Sequence, residues 1–65
     1  MVVKIIELMG SSNTSWEDAT EQAVKKAGET LKHIHSVDVL GFKAEVENGK
    51  ITEYRAHVKI AFKIE

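Results

Sequence analysis

The sequence predicts an α+β fold of one domain, residues 1–65, in the order strand, helix, strand, strand. Three observations predict it. Residues 14–34 combine a helix start signal with an apolar stripe at three- and four-residue spacing. Asn48-Gly49 separates two long extended segments and is the strongest two-residue hairpin signal. Ahead of the helix, residues 2–9 are β-branched or aliphatic except for Lys4 and Glu7, which suits a strand covered on much of both faces.

Gly10-Ser11-Ser12-Asn13 ends that first strand and reads as a short strand-to-helix turn of small polar residues. A cradle of backbone amides for an anion is the functional alternative, but the glycine spacing and Lys of a phosphate-binding loop are missing. The helix itself opens on Thr14-Ser15-Trp16-Glu17, which has the spacing of a capping box. The Thr14 hydroxyl takes the amide three residues on, Glu17 reaches back, and the helix starts near Ser15. Trp16, Ala19, Ala23, Ala27, Leu31 and Ile34 step along one side with Val24 beside them, while Glu21, Gln22, Lys25, Lys26, Glu29 and Lys32 fall outside. Trp16, in the first turn, reads as a core or interface anchor.

The two segments flanking the turn, 33–47 and 50–65, pair with a register in which facing positions sum to 97 if Glu47 faces Lys50. That register sets Val37 opposite Ile60, Val39 opposite Val58, Gly41 opposite Ala56 and Lys43 opposite Tyr54. It gives an apolar face to cover the helix, with His35 and Phe62 continuing it and the Lys43 stem along the Tyr54 ring. The other face pairs Ser36 with Ala61, Asp38 with Lys59, Leu40 with His57 and Phe42 with Arg55. Such a mixture of apolar and charged groups, in a domain with little core, reads as a subunit interface or a site between subunits.

Composition narrows the function. At 65 residues the burial available barely exceeds the entropy lost on folding, so small domains lean on disulfides, metals or association. The chain has no Cys, which leaves self-association. Nine basic against ten acidic side chains give a net charge of −1 without a basic field, so a nucleic-acid partner is not expected. No apolar run approaches membrane-spanning length, and the first residues lack the layout of a secretory signal. The expectation is a cytoplasmic, soluble protein with no membrane partner.

Gly10-Ser11-Ser12-Asn13-Thr14-Ser15-Trp16-Glu17, Ala27-Gly28-Glu29-Thr30-Leu31-Lys32, Asn48-Gly49-Lys50 and Val58-Lys59-Ile60-Ala61-Phe62, in this order of elements, resemble the dodecins over essentially the whole chain. The resemblance implies a three-stranded antiparallel sheet wrapped around one helix, assembled as a hollow shell of twelve copies that binds flavin. It also implies a flavin site between subunits, where a Trp shortly after the helix stacks on the isoalloxazine ring. A Gln after a Tyr in the last strand bonds the polar edge of that ring. Here Ser36 holds the place of the Trp and Arg55, after Tyr54, holds that of the Gln. With Phe42 beside Arg55 in the expected register, Ser36, Phe42 and Arg55 are the candidate cofactor-binding residues for FMN, riboflavin or FAD. A Ser offers no ring face, so flavin affinity is expected to be reduced, by about 1–3 kcal/mol for a lost stack. The alternative implied by the calcium dodecin variant is calcium binding or a purely structural shell. Asp38, Glu45, Glu47, Glu53 and Ser36 could supply oxygen ligands if symmetry brings copies together.

Other chemistries are weaker. Arg55 could stack on a planar ligand, grip an anion, or pair with a carboxylate of a neighbour. His33, His35 and His57 do not converge in the expected register, which argues against zinc. Without Cys, and with no Ser at a motif spacing from a His, no catalytic residue is expected and the protein reads as a non-enzyme.

Overall fold

A computed structural model describes residues 1–64. The elements are β1 (Val2–Ser12), α1 (Trp16–Gly28), β2 (Ile34–Glu47) and β3 (Lys50–Ile64), in a sheet of order β1-β3-β2. Both pairings are antiparallel, so the last strand is central and the first two strands form the edges. The expected α+β architecture, one helix on a three-stranded antiparallel sheet, is present. Glu65, the expected last residue of the final strand, lies outside the described residues.

The first strand runs three residues further than its composition predicts. Gly10, Ser11 and Ser12 continue the ladder, pairing with Ala56, Arg55 and Tyr54. Gly10 is needed there because the helix crosses directly above it. A Cβ at this position would overlap the Ala19 carbonyl oxygen and approach the Ala23 Cβ to 2.9 Å. Only a bare backbone under a stripe of alanines allows so close a helix–sheet approach.

Ser12 then fixes the turn. Its hydroxyl donates to Asp18 Oδ2 at 2.7 Å and accepts from the Thr14 amide at 3.0 Å. The cap sits one residue later than expected: Ser15, not Thr14, is the N-cap, and its hydroxyl accepts from the Asp18 amide at 2.9 Å. Ser12 engages the Thr14 hydroxyl instead, at 3.0 Å. Asp18 thus takes the N3 place in the first turn, where a negative charge is favoured by the helix dipole.

The helix also ends sooner than the stripe predicts, at Gly28. The Leu31 amide turns back to the Ala27 carbonyl at 2.9 Å, and His33, at φ 61°, reverses the chain into β2. Ile34 therefore packs from the strand, opposite Phe62, and not from the helix. Asn48 and Gly49 both have positive φ, as a type I′ hairpin turn requires.

The hairpin register is the expected one next to the turn and again from Val39 to Ser36, but it slips by one between them. Thr52 is an extra residue on β3 and Leu40 an extra residue on β2, and the second bulge cancels the first. Gly41 consequently faces His57, Phe42 faces Ala56, Lys43 faces Arg55 and Ala44 faces Tyr54. A one-residue slip exchanges the two faces, so Phe42 belongs to the helix side and Lys43 to the outward side. The Lys43 stem does not lie along the Tyr54 ring. A third extra residue, His35, places Ile34 rather than His35 across from Phe62.

The core is small. Ala19, Ala23 and Ala27 of the helix meet Ala56, Val58 and Ile60 of the central strand, with Ile6, Leu8, Val24, Leu31, Ile34 and Val37 packed around them. The helix is about 20 Å long, whereas β2 extends over about 46 Å, so the hairpin projects beyond its cover.

Two outcomes are expected. Gly10→Ala should lower the denaturation midpoint by the equivalent of about 1–3 kcal/mol of overpacking, read by chemical unfolding followed by helix circular dichroism. Asp18 has its pKa held below the ordinary 3.8, first by the Ser12 hydrogen bond and then by Gln22. A lowered folded-state value means that its contribution is present above the unfolded value and is lost as the pH falls through the folded one. The acid limb of the stability curve below about pH 4 should be shallower in Asp18→Asn than in the wild type.

Candidate functional site

The face of the sheet turned away from the helix carries the charged residues. From β1 come Glu7, Met9 and Ser11; from β3 come Lys59, His57, Arg55 and Glu53; from β2 come Ser36, Asp38, Gly41, Lys43 and Glu45. Strand alternation sets this grouping, and the paired bulges carry it past Leu40 and Thr52.

Two of the three expected site residues, Ser36 and Arg55, lie on this face, but not together. Ser36 is opposite Ala61 and Arg55 is opposite Lys43, six residues apart along β3, which is about 20 Å. They do not form one compact pocket within a chain. Phe42 is on the other side, contrary to the sequence reading, because the Leu40 bulge turns it toward the helix. There its ring centroid is 6.0 Å from that of Trp16, which in turn meets Tyr54 edge-on at 5.0 Å. The Trp16 Nε1–H donates to the Lys43 carbonyl at 2.9 Å and ties the start of the helix to β2. This cluster is not closed: Trp16 is 38% and Phe42 55% exposed.

Arg55 is already engaged. Its Nε donates to Glu53 Oε1 at 2.7 Å, and the side chains of the pair stay 38% and 32% exposed. That hydrogen bond, followed by the charges of Glu45 and Glu53, raises the guanidinium pKa above its ordinary value. The remaining N–H groups can still meet an anion or a planar ring. Two residues along the strand, His57 Nε2 and Glu7 Oε2 approach to 2.5 Å across the β1–β3 ladder. Sequence reasoning missed this pair because it assigned no partner to the first strand. Alternation in both segments could have supplied that partner.

No group of three or more His, Cys, Asp or Glu side chains that could hold a metal ion occurs among the described residues. Calcium takes about six to eight oxygens, so Asp38, Glu45, Glu47, Glu53 and Ser36 would have to be pooled from several copies. His35 is the extra residue of a bulge, not a paired residue of the helix side as the sequence register predicts, and His57 lies on the outward face. No helix of the described residues is long and apolar enough to cross a membrane.

Residues 2–65 match the family model described as Dodecin. A calcium dodecin from Mycobacterium tuberculosis is 38% identical over 64 residues, which span 97% of this chain and 89% of that one. The solved structure of that protein, described as a calcium-chelating antigen with a calcium-binding site, superposes with a TM-score of 0.88 at 35% identity, covering 100% of this chain and 93% of that one. A dodecin from Thermus thermophilus is 28% identical over 98% of this chain and 93% of its own length. The dodecin structure from Streptomyces coelicolor has the same fold, with a TM-score of 0.95 at 23% identity over 98% of this chain and 91% of that one. With the family match spanning nearly the whole chain and the strand, helix and hairpin arranged as in these structures, the protein belongs to the dodecin family.

Proposed function

We propose that this protein is a non-catalytic homo-oligomer, a shell of about twelve copies, that binds and sequesters a small ligand where copies meet. The observation that carries the reading is the imbalance between core and surface. The buried apolar residues are three alanines of the helix plus Ala56, Val58 and Ile60, whereas Val3, Ile5, Met9, Leu40, Phe42, Val46 and Ile51 are all at least 40% exposed. Apolar surface on this scale in a domain of 65 residues calls for a partner. The radius of gyration is 13.2 Å, against about 10.7 Å for a compact domain of this length. The extended arm presents Phe42, Ala44 and Val46 on its helix side, where the helix covers the arm only through Trp16 and leaves Phe42 55% and Val46 64% exposed, which suits a contact with another copy.

The ligand follows from the outward face. Because Ser36 and Arg55 stand about 20 Å apart along the strand within a chain, a compact ring site that uses both takes one from each of two copies. A planar flavin-type ligand gripped by the Arg55 guanidinium is the candidate, with reduced affinity because Ser36 supplies no ring. Phe42 leaves the ligand contact and joins the proposed interface. The second reading, a calcium ion bound between copies, is favoured by the likeness to calcium dodecin and by the carboxylates of Glu45 and Glu53 on the same face.

Light scattering across a size-exclusion peak should give a mass near twelve chains; a monomer would contradict the reading. On the assembled protein, titration with riboflavin, FMN and FAD should quench flavin fluorescence weakly, and Ser36→Trp should tighten that binding about tenfold to a hundredfold. Absence of quenching in both proteins, with calcium uptake by calorimetry, would transfer the site to the second reading.

A further inference from the structure

The charges around Arg55 cancel. Lys43 stands directly opposite Arg55 on β2, and two positions along the strands Glu45 stands opposite Glu53. On the β1 side the residue opposite Arg55 is Ser11, which is short and uncharged. Among the described residues the guanidinium is held by one side chain, that of its strand neighbour Glu53, whose Oε1 accepts the Nε–H at 2.7 Å.

An arginine has two hydrogen-bonding edges, one made by Nε with an Nη and one made by the two Nη groups. Glu53 takes the first, which leaves the second for a ligand. That second edge offers donors and no acceptor. It matches two adjacent acceptors on a planar ring, such as a carbonyl oxygen beside a ring nitrogen of an isoalloxazine, and it cannot satisfy a ring N–H. The charge of Glu53 matters as well. With Glu45 and Glu53 beside them, Lys43 and Arg55 have no net positive charge left to draw an anion to this part of the face.

We propose that Glu53 is a positioning and specificity-determining residue of the ligand site. It aims the two Nη groups of Arg55 at the acceptor edge of a planar ring and cancels the field that would favour a phosphorylated ligand. The ligand class that follows is a neutral planar ring bound without help from a phosphate. This inference rests on the flavin-type reading above and names the form of ligand and the residue that selects it.

Fluorescence-quenching titrations of the assembled protein with riboflavin, which is neutral, and with FMN, which carries a phosphate, test it. Glu53→Gln keeps an oxygen for the Nε–H and removes the charge, whereas Glu53→Ala removes both. In Glu53→Gln, riboflavin binding should stay close to that of the wild type. The ratio of FMN to riboflavin affinity should rise about threefold to tenfold at low salt, and the rise should fade at high salt. In Glu53→Ala, riboflavin binding should weaken about threefold to tenfold, because the guanidinium is no longer aimed. An unchanged ratio in Glu53→Gln, or riboflavin binding in Glu53→Ala equal to that of the wild type, would overturn the proposal and leave the flavin-type reading standing. Loss of the assembly in either variant, read by light scattering, would also overturn it by assigning Glu53 to a contact between copies. Absence of quenching by both flavins in the wild type would overturn the flavin-type reading and this inference with it.

Discussion

The close approach of helix to sheet at Gly10 is the constraint on which the rest of the structure depends. The helix sits so near the central strand that its contact residues are alanines and the position beneath them has no side chain. Such packing is specific, since almost any larger group at Gly10, Ala19 or Ala23 would push the layers apart. It also buries little: Val58 and Ile60 are the only large side chains of the described residues that are fully enclosed. At about 25 cal/mol per Å² of apolar area, a core of this kind cannot offset the ordering of two strands that outrun the helix. The long β2–β3 arm, with its apolar inner side, makes sense as part of a larger body.

The sequence carried the architecture through local signals. Residues Asn48 and Gly49 announced the hairpin through the positive φ that their turn requires, and the alanine stripe announced the buried side of the helix. Boundaries were less legible. The cap slid from Thr14 to Ser15 because both hydroxyls fit the spacing, and the choice depends on Ser12, which only the folded turn brings within reach. The helix end at Gly28 was hidden because Leu31 and Ile34 keep the helical spacing while packing from outside the helix.

The outward face was half legible for one reason. Composition shows that charged and apolar residues alternate on the last two strands, but the spacing cannot reveal that Thr52 and Leu40 are bulged out of the ladder. From Gly41 to Glu45 the slip turns Phe42 inward, toward Trp16 and Tyr54, and turns Lys43 outward, opposite Arg55. Ser36 and Asp38 lie beyond the compensating bulge and kept their expected partners. The aromatic cluster and the facing of Lys43 by Arg55 are therefore two consequences of one pair of bulges, one on each side of the sheet.

The central claim is that the fold of a single chain is completed by other copies. Equilibrium unfolding in denaturant at a series of protein concentrations tests it most directly, with helix signal and mass recorded together. The account predicts a midpoint that rises with protein concentration, and helix signal lost together with the assembly. A midpoint independent of concentration, with a helical and compact monomer at the lowest one, would contradict it.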